Sequence, residues 1–548
     1  MAPAPAIQVE VQTAVEVFSR QHDLRDDRVV ERLYRSLIPL EAPGLGEQYA
    51  FQVDLDACTG CKACVVACHV LNGLDEGESF RTVGLLHGGA PEAPVRQTVT
   101  SACHHCVEPA CKSGCPVGAY EKDPLTGIVK HLDDQCFGCQ YCTLMCPYDV
   151  PKYNEERGIV RKCDMCSDRL GHGEAPACVD ACPNEAISIR TVAQTLAVAA
   201  ADAGVFLPGV ASPQITLPTT VYRGVEAMPS NLLPGDFYRS KPGHWHAPLM
   251  VMLTLTQLSV GTFVLSSLAE QLAPRLVRDT FLPTAFAAAV TLVALIASVF
   301  HLGRPGLAWR AVIGIRTSWL SREALGFGLF FKALLVCTAV GLCARSEPLG
   351  RVLRALPGGT RAVAALPALQ LLTAGLGLTA IYCSIMVYVA TRRAQWSSSL
   401  TGFKFAGTTL ILGASSLLLL SAFRGSAASG AGAGAMMHLL SAGVSLLATL
   451  KLTFEAALLR DARARQHSAR KQVAVMMLGP LRAVTGLRFA AGVLGVALSG
   501  ALFSALLPEF VIVPVALAAL VALSLGELLE RGLFFSASPT LRMPGGAS

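Results

Sequence analysis

Cys136-Phe137-Gly138-Cys139-Gln140-Tyr141-Cys142-Thr143-Leu144-Met145-Cys146-Pro147 sets four thiols at intervals of three, three and four residues. The same spacing stands upstream in Cys58-Thr59-Gly60-Cys61-Lys62-Ala63-Cys64-Val65-Val66-Ala67-Cys68. Two further quartets, Cys103-Cys106-Cys111-Cys115 and Cys163-Cys166-Cys178-Cys182, complete a set of four, and Pro116, Pro147 and Pro183 follow the last cysteine of three of them. Of the chain's 19 cysteines, all but Cys337, Cys343 and Cys383 therefore fall between Cys58 and Cys182.

The C-x2-C-x2-C-x3-C spacing is that of bacterial ferredoxins, in which a tight loop wraps three thiolates around one [4Fe-4S] cubane and the fourth cysteine reaches a neighbouring cluster. Four such quartets predict four [4Fe-4S] clusters arranged as an electron wire. Disulfide frameworks belong to short secreted chains, and Met1 to His22 has no secretory pattern. Zinc is the other competitor, because Cys103-His104-His105-Cys106 offers soft and borderline ligands at finger-like spacing. Ligand number and spacing favour clusters, which makes His104 and His105 outer-shell or surface residues. Spacing leaves open which fourth cysteine serves which cluster, since four quartets pair either as neighbours or as a nested set.

The second half is of another kind. The 548 residues are 52% hydrophobic and only 15% charged, more apolar than one soluble core requires, and the excess lies beyond residue 246. Eight apolar stretches of membrane-spanning length follow: Ala247 to Ala269, Phe281 to Phe300, Ala324 to Cys343, Ala368 to Ala390, Phe405 to Ala422, Met436 to Leu459, Phe489 to Leu507 and Val511 to Leu529. They lack the polar faces of a soluble bundle. The expected fold is an α+β ferredoxin-like four-cluster domain (50–190) followed by an all-α eight-span transmembrane helix bundle (246–532). A helical N-terminal extension (1–49), an extended proline-bearing linker (191–245) and a tail (533–548) complete the chain. In the extension, Thr13 to His22 and Asp26 to Ile38 read as amphipathic helices packed on the cluster domain. Gly425 to Ala435 reads as a flexible connector, and Cys337, Cys343 and Cys383 as packing residues in the spans.

Charge bears on orientation. With eight spans, one side of the membrane carries Arg239, Lys241, Arg304, Arg310, Arg316, Arg322, Arg392, Arg393, Lys404, Arg460, Arg463, Arg465, Arg470, Lys471, Arg482, Arg488, Arg531 and Arg542. The other carries Arg275, Arg278, Arg345, Arg351, Arg354, Arg361 and Arg424. The positive-inside bias puts the first set, and the cluster domain with it, in the cytoplasm of a prokaryotic cell. The start of the chain, without a twin-arginine or Sec-type pattern, gives the same expectation. Ionisable residues at membrane depth are functional hypotheses: His301 and Glu323 at the span edges, and Lys332, Lys451, Glu455 and Glu527 deeper. Lys451 and Glu455, four residues apart, can neutralise each other. His301 beside Glu323 suits the receipt of protons released when a quinol is oxidised.

Residues 50 to 190 resemble the four-cluster iron-sulfur subunit of the dimethyl sulfoxide reductase family, through Ser101-Ala102-Cys103-His104-His105-Cys106, Gln140-Tyr141-Cys142 and Lys162-Cys163-Asp164-Met165-Cys166. The resemblance implies that quartet one pairs with four and two with three. The ligand sets would be Cys58, Cys61, Cys64 with Cys182; Cys163, Cys166, Cys178 with Cys68; Cys103, Cys106, Cys111 with Cys146; and Cys136, Cys139, Cys142 with Cys115. A second resemblance, to that family's eight-span anchor, rests on His301-Leu302-Gly303-Arg304-Pro305, Ala308-Trp309-Arg310-Ala311, Ser318-Trp319-Leu320-Ser321-Arg322-Glu323 and Gly526-Glu527-Leu528-Leu529-Glu530-Arg531. It implies a quinol site, for menaquinol or ubiquinol, at His301, Gly303, Arg304 and Glu323. Such anchors carry no haem, in keeping with only His246, His301 and His438 in or beside the spans. Two subunits that are usually separate are thus fused, which holds the last cluster beside the quinol site.

The sequence contains no molybdopterin domain, no dinucleotide fingerprint, no nucleophile-base constellation and nothing that suggests a nucleic-acid partner. The chain reads as a non-catalytic electron-transfer subunit. Resemblance implies a separate large subunit with molybdenum bis-guanine-dinucleotide, which would set the terminal substrate among S- or N-oxides, nitrate and sulfur oxyanions. Reverse flow from a dehydrogenase into quinone is the alternative within the class. An ion path through Lys332, Lys451, Glu455 and Glu527 is the alternative outside it.

Overall fold

The computed structural model describes residues 35–225, 228–237, 241–273, 280–355, 359–425, 431–503, 507–538 and 543. The expected helix at Thr13 to His22 lies outside these residues, as does most of that at Asp26 to Ile38. Of the latter, Arg35–Leu37 form one short 3-10 turn, and Leu37 and Ile38 are buried with Phe51 and Val53 in the core of the cluster domain.

That domain is built from short strands joined by cysteine-bearing loops. β1 (Glu47–Asp54) alternates buried and half-buried positions, as a strand with one face on a core must. The first quartet and α1 (Ala63–Leu71) lead to a long hairpin of β2 (Thr82–Ala90) and β3 (Ala93–Ser101). The second quartet contains α2 (Ala110–Gly114) and precedes the hairpin of β4 (Tyr120–Lys122) and β5 (Val129–His131). The third contains α3 (Tyr141–Met145) and precedes β6 (Lys152–Asn154) and β7 (Ile159–Arg161). The fourth contains α4 (Ser167–Gly171) and α5 (Ala177–Asp180), after which β8 (Ile187–Ala193) returns antiparallel to β1 with Val53 opposite Ile187.

The segment expected to be an extended linker is more ordered than its prolines suggested. It forms α6 (Gln194–Asp202), then β9 (Val221–Arg223), parallel to β1, and β10 (Leu233–Pro234), antiparallel to β2. Edge strands with unpaired N–H and C=O groups recruit such short pieces, which local composition does not announce.

Among the described residues, eight helices are long and apolar enough to cross a membrane. They are α7 (Ala247–Leu272), α8 (Phe281–Val299), α9 (Trp319–Arg345), α12 (Leu366–Val389), α13 (Ser398–Gly425), α14 (Ala431–Leu458), α16 (Arg482–Phe503) and α17 (Glu509–Ser536). Short helices α10 (Glu347–Ala355) and α11 (Gly359–Ala364) join α9 to α12, and α15 (Ala469–Leu478) precedes α16. α7 and α13 are 72% and 78% buried over their apolar windows against 44% or less for the others, so these two form the centre of the bundle. They cross at Gly261 and Gly413, where a Cβ on Gly261 would collide with the Thr409 carbonyl and one on Gly413 with the Gly261 backbone. The expected connector at Gly425 to Ala435 is shorter than read: 426–430 lie outside the described residues, and α14 already begins at Ala431.

Candidate functional site

The cluster loops share one backbone device. The residue before the second cysteine of each quartet has positive φ: Gly60 (73°), His105 (41°), Gly138 (74°) and Met165 (63°). A left-handed residue at this place tightens the loop and turns backbone N–H groups inward, as in the bond from Met165 N–H to Cys163 Sγ at 3.4 Å.

Strand register brings distant cysteines to common ends. Cys58 stands five residues after Val53 and Cys182 five before Ile187, the last pair of the β1/β8 ladder. Asn184 Nδ2 bonds Thr59 Oγ1 there at 3.0 Å. The β4/β5 hairpin repeats this arrangement, with Cys115 five residues before Tyr120 and Cys136 five after its partner His131. Cys139 and Cys142 have Cys115 and Cys136 as electrostatic neighbours. Cys103, Cys106, Cys111 and Cys146 line one cavity, and Cys68, Cys163, Cys166 and Cys178 another.

These surroundings suit anionic clusters. Burial pushes the Cys146 and Cys166 thiols up to about 11, so a bound metal is needed to hold them as thiolates at neutral pH. Two buried cations face sulfur. Lys162 Nζ lies 3.6 Å from Cys103 Sγ, and Arg81 sits beside Cys178 with its guanidinium 4.6 Å from the Phe51 ring centre. Neither forms an ion pair with a carboxylate among the described residues. A buried charge requires a counter-charge, and thiolate-bound clusters carry one. His104 and His105 are both buried, contrary to a surface position. His104 Nδ1 lies 2.8 Å from Thr220 Oγ1, and His105 Nδ1 accepts the Val129 N–H at 3.0 Å.

The third quartet meets the membrane bundle. Gly138 N-terminal to Cys139, Gly158 in the β6/β7 turn and Gly303 after the second span pack backbone to backbone, where a Cβ on Gly303 would collide with the Gly158 carbonyl. Arg304 N–H donates to Phe137 O at 3.0 Å and its Nη1 to Asp133 O at 3.0 Å. Gly314 N–H donates to Pro116 O at 2.7 Å, and Ser318 Oγ to Gly114 O at 2.7 Å. From the cluster side, Tyr141 OH donates to Val387 O of α12 at 2.7 Å.

Between these contacts lies a cavity with about 1050 Å³ of atom-free space, its open mouth included. Its walls join Cys139, Gln140 and Tyr141 of the third quartet to His246, His301, Glu323 and Tyr388 of the membrane half. Leu249, Leu295, Val299, Leu320 and Phe327 make the rest largely apolar. Burial pushes the His301 imidazole down to about 4 while the Cys139 backbone opposes it, so the ring is neutral and can accept a hydrogen bond from a hydroxyl. Glu323 is 4% exposed, and its Oε1 has no hydrogen-bond partner among the described residues. Gly303 and Arg304, expected beside the quinol, do not line this cavity. They hold the loop of Cys136 to Cys139 in place. That His246, Tyr141 and Tyr388 line the cavity was not anticipated: by sequence Tyr141 counts only as part of a cluster loop and His246 only as a histidine beside the spans, and the site is assembled from separate segments.

The deeper charges form another group. Lys451 bonds Glu527, and Arg488 bridges Glu455 (3.1 Å) and Glu527 (3.0 Å). Glu530 pairs with Lys404 (2.7 Å) and Arg531 (2.6 Å). Lys451 and Glu455, expected to neutralise each other, lie 3.8 Å apart and are bound more closely to these others. Lys332 is exposed on α9 and has no ion pair among the described residues.

Loops of cluster-binding form, docked through the second and third quartets on an eight-helix bundle with an apolar cavity at the junction, define a membrane-anchored iron-sulfur electron-transfer protein. Residues 241–537 match the model of the DMSO reductase anchor subunit (DmsC), and residues 95–192 that of a 4Fe-4S dicluster domain. The chain belongs to the DMSO reductase anchor family, with an iron-sulfur subunit fused ahead of the anchor. The iron-sulfur half is 40% identical over 153 residues to the B subunit of anaerobic dimethyl sulfoxide reductase from Escherichia coli strain K12, spanning 26% of this chain and 74% of that subunit. It is 37% identical over 155 residues to the corresponding B subunit of Haemophilus influenzae (27% and 75%). It is 41% identical over 149 residues to the thiosulfate reductase electron transfer subunit PhsB of Salmonella typhi (26% and 76%).

Proposed function

We propose that this chain oxidises membrane quinol, menaquinol or ubiquinol, and carries the electrons through four [4Fe-4S] clusters to a separate molybdopterin subunit. The observation that carries the reading is the junction cavity, in which His301 and Glu323 face the loop of Cys139. The four ligand sets are Cys58, Cys61, Cys64, Cys182; Cys68, Cys163, Cys166, Cys178; Cys103, Cys106, Cys111, Cys146; and Cys115, Cys136, Cys139, Cys142. Sulfur neighbourhoods and strand register support this crossed assignment.

Oxidation of one quinol to quinone releases two electrons and two protons. When bound, the clusters supply one-electron acceptors in series. The protein's part is to hold the quinol ring between apolar walls and to take its hydroxyl protons, one at the neutral His301 ring and one at Glu323 Oε1. Tyr141 clamps the third quartet to α12, which keeps the ring and the nearest cluster at a fixed separation. The terminal substrate, an S- or N-oxide, nitrate or a sulfur oxyanion, is chosen by the partner, and the cluster domain lies on the cytoplasmic face. The mutual pairing of Lys451, Glu455, Arg488 and Glu527 favours a structural role for these charges over an ion path.

Anoxic purification of the complex from membranes, with metal analysis, tests the reading. A stoichiometric large chain bearing molybdenum, and about sixteen irons for each copy of this chain, is the expected result. A complex without molybdenum or any such chain removes it. Cys68→Ser and Cys178→Ser should perturb the same cluster signal in electron paramagnetic resonance and Cys64→Ser another. A shared signal for Cys64 and Cys68 would overturn the crossed assignment.

A further inference from the structure

We propose that His246 is a quinol-binding residue that hydrogen-bonds one ring oxygen of the substrate beside His301. The inference rests on reading the junction cavity as the quinol site, and it adds a contact that neither the motifs nor the family resemblance supplied. His246 lines the cavity with its ring centre 5.2 Å from that of His301, edge to face. The ring centres of His244 and Phe535 lie 4.8 and 5.6 Å from that of His246. Among the described residues neither ring nitrogen of His246 has a hydrogen-bond partner, and the side chain does not cap α7, which it precedes. The imidazole is therefore available to a ligand in a cavity whose Tyr141 hydroxyl is already committed to Val387.

The backbone supports the same conclusion independently. His246 is left-handed, at φ 46° and ψ 50°, a conformation that non-glycine residues rarely adopt. It is held there from both directions: its N–H donates to His244 Nδ1 at 3.2 Å, and its carbonyl accepts from Leu249 N–H at 2.9 Å and Met250 N–H at 3.1 Å. Strained residues fixed in this way cluster at ligand sites, where the strain serves to aim a side chain. A quinol has two ring oxygens at opposite ends. His246 serves one, and the pair His301 and Glu323 takes the protons.

The test uses the native complex, menadiol as electron donor and ferricyanide as acceptor. His246→Gly accepts the left-handed backbone and removes the ring, and His246→Asn accepts it and keeps a donor and an acceptor. The Gly variant should raise the KM for menadiol about tenfold, as loss of one hydrogen bond does, with kcat changed far less and the cluster spectra unaltered. The Asn variant should recover most of that loss. A wild-type KM in the Gly variant, or an Asn variant no better than Gly, overturns the proposal. A second measurement needs no variant: bound menadione should protect His246, but not the exposed His244, from carbethoxylation read by mass spectrometry. Equal modification of His246 with and without menadione overturns the proposal. If the wild-type complex, with its clusters intact, fails to oxidise menadiol at all, the quinol reading itself falls, an outcome distinct from either of these.

Discussion

Glu323 lies near the start of α9, 4% exposed, with Oε1 unpartnered among the described residues. A carboxyl oxygen left unpartnered in an apolar wall is costly unless a ligand answers it. Glu323→Gln preserves size and removes proton acceptance, so quinol-driven reduction of the clusters should slow by about a hundredfold, a usual loss for general-base removal. Dithionite reduction should remain as in the wild type; stopped-flow traces of cluster reduction would show both. Glu527 contrasts with it, because it sits between Lys451 and Arg488 in a closed group of charges. Glu527→Gln leaves those cations short of an anion and should cost about 3 to 5 kcal/mol, whereas Lys332→Gln on the exposed face of α9 should change little. Thermal unfolding in detergent compares the two.

At the scale of elements, the junction depends on three glycines from three segments. Gly303 lies between the second and third spans, Gly138 in the third quartet and Gly158 in the β6/β7 turn, and they meet backbone to backbone. Gly303→Val places a branched side chain where the Gly158 carbonyl lies. The expected outcome is full iron content with slowed electron entry from quinol, because the loop of Cys139 is pushed from the cavity while the cluster domain keeps its own core. Iron analysis and quinol-driven reduction on the same sample separate these effects. Iron lost in step with activity would show that the junction is needed for assembly. The segment 191–245 is the element least legible from sequence. Its prolines signalled an extended chain, yet α6, β9 and β10 form because the edges of β1 and β2 offer partners that local composition does not record.

At the scale of the molecule, a cluster domain is set against one end of a bundle whose centre is α7 and α13. The lysine and arginine bias along the chain argues for that end in the cytoplasm. Protease added to inverted vesicles should therefore cleave the cluster domain and leave it intact in right-side-out vesicles; the reverse pattern would assign it to the outer face. The chain by itself determined the quartets, the eight spans and the separation into two halves, because cysteine spacing and long apolar runs are local signals whose chemistry leaves few alternatives. It also singled out His301 and Glu323, since ionisable groups at a span edge are conspicuous. Spacing left the cysteine pairing open and the family resemblance implied the crossed sets, but only the tertiary structure decided that Gly303 and Arg304 hold a loop instead of lining the cavity, that His246 and Tyr141 do line it, and that Lys451 answers to Glu527. Each of these is a meeting of residues far apart in the chain. Strand register and helix packing create such meetings, and no local spacing encodes them.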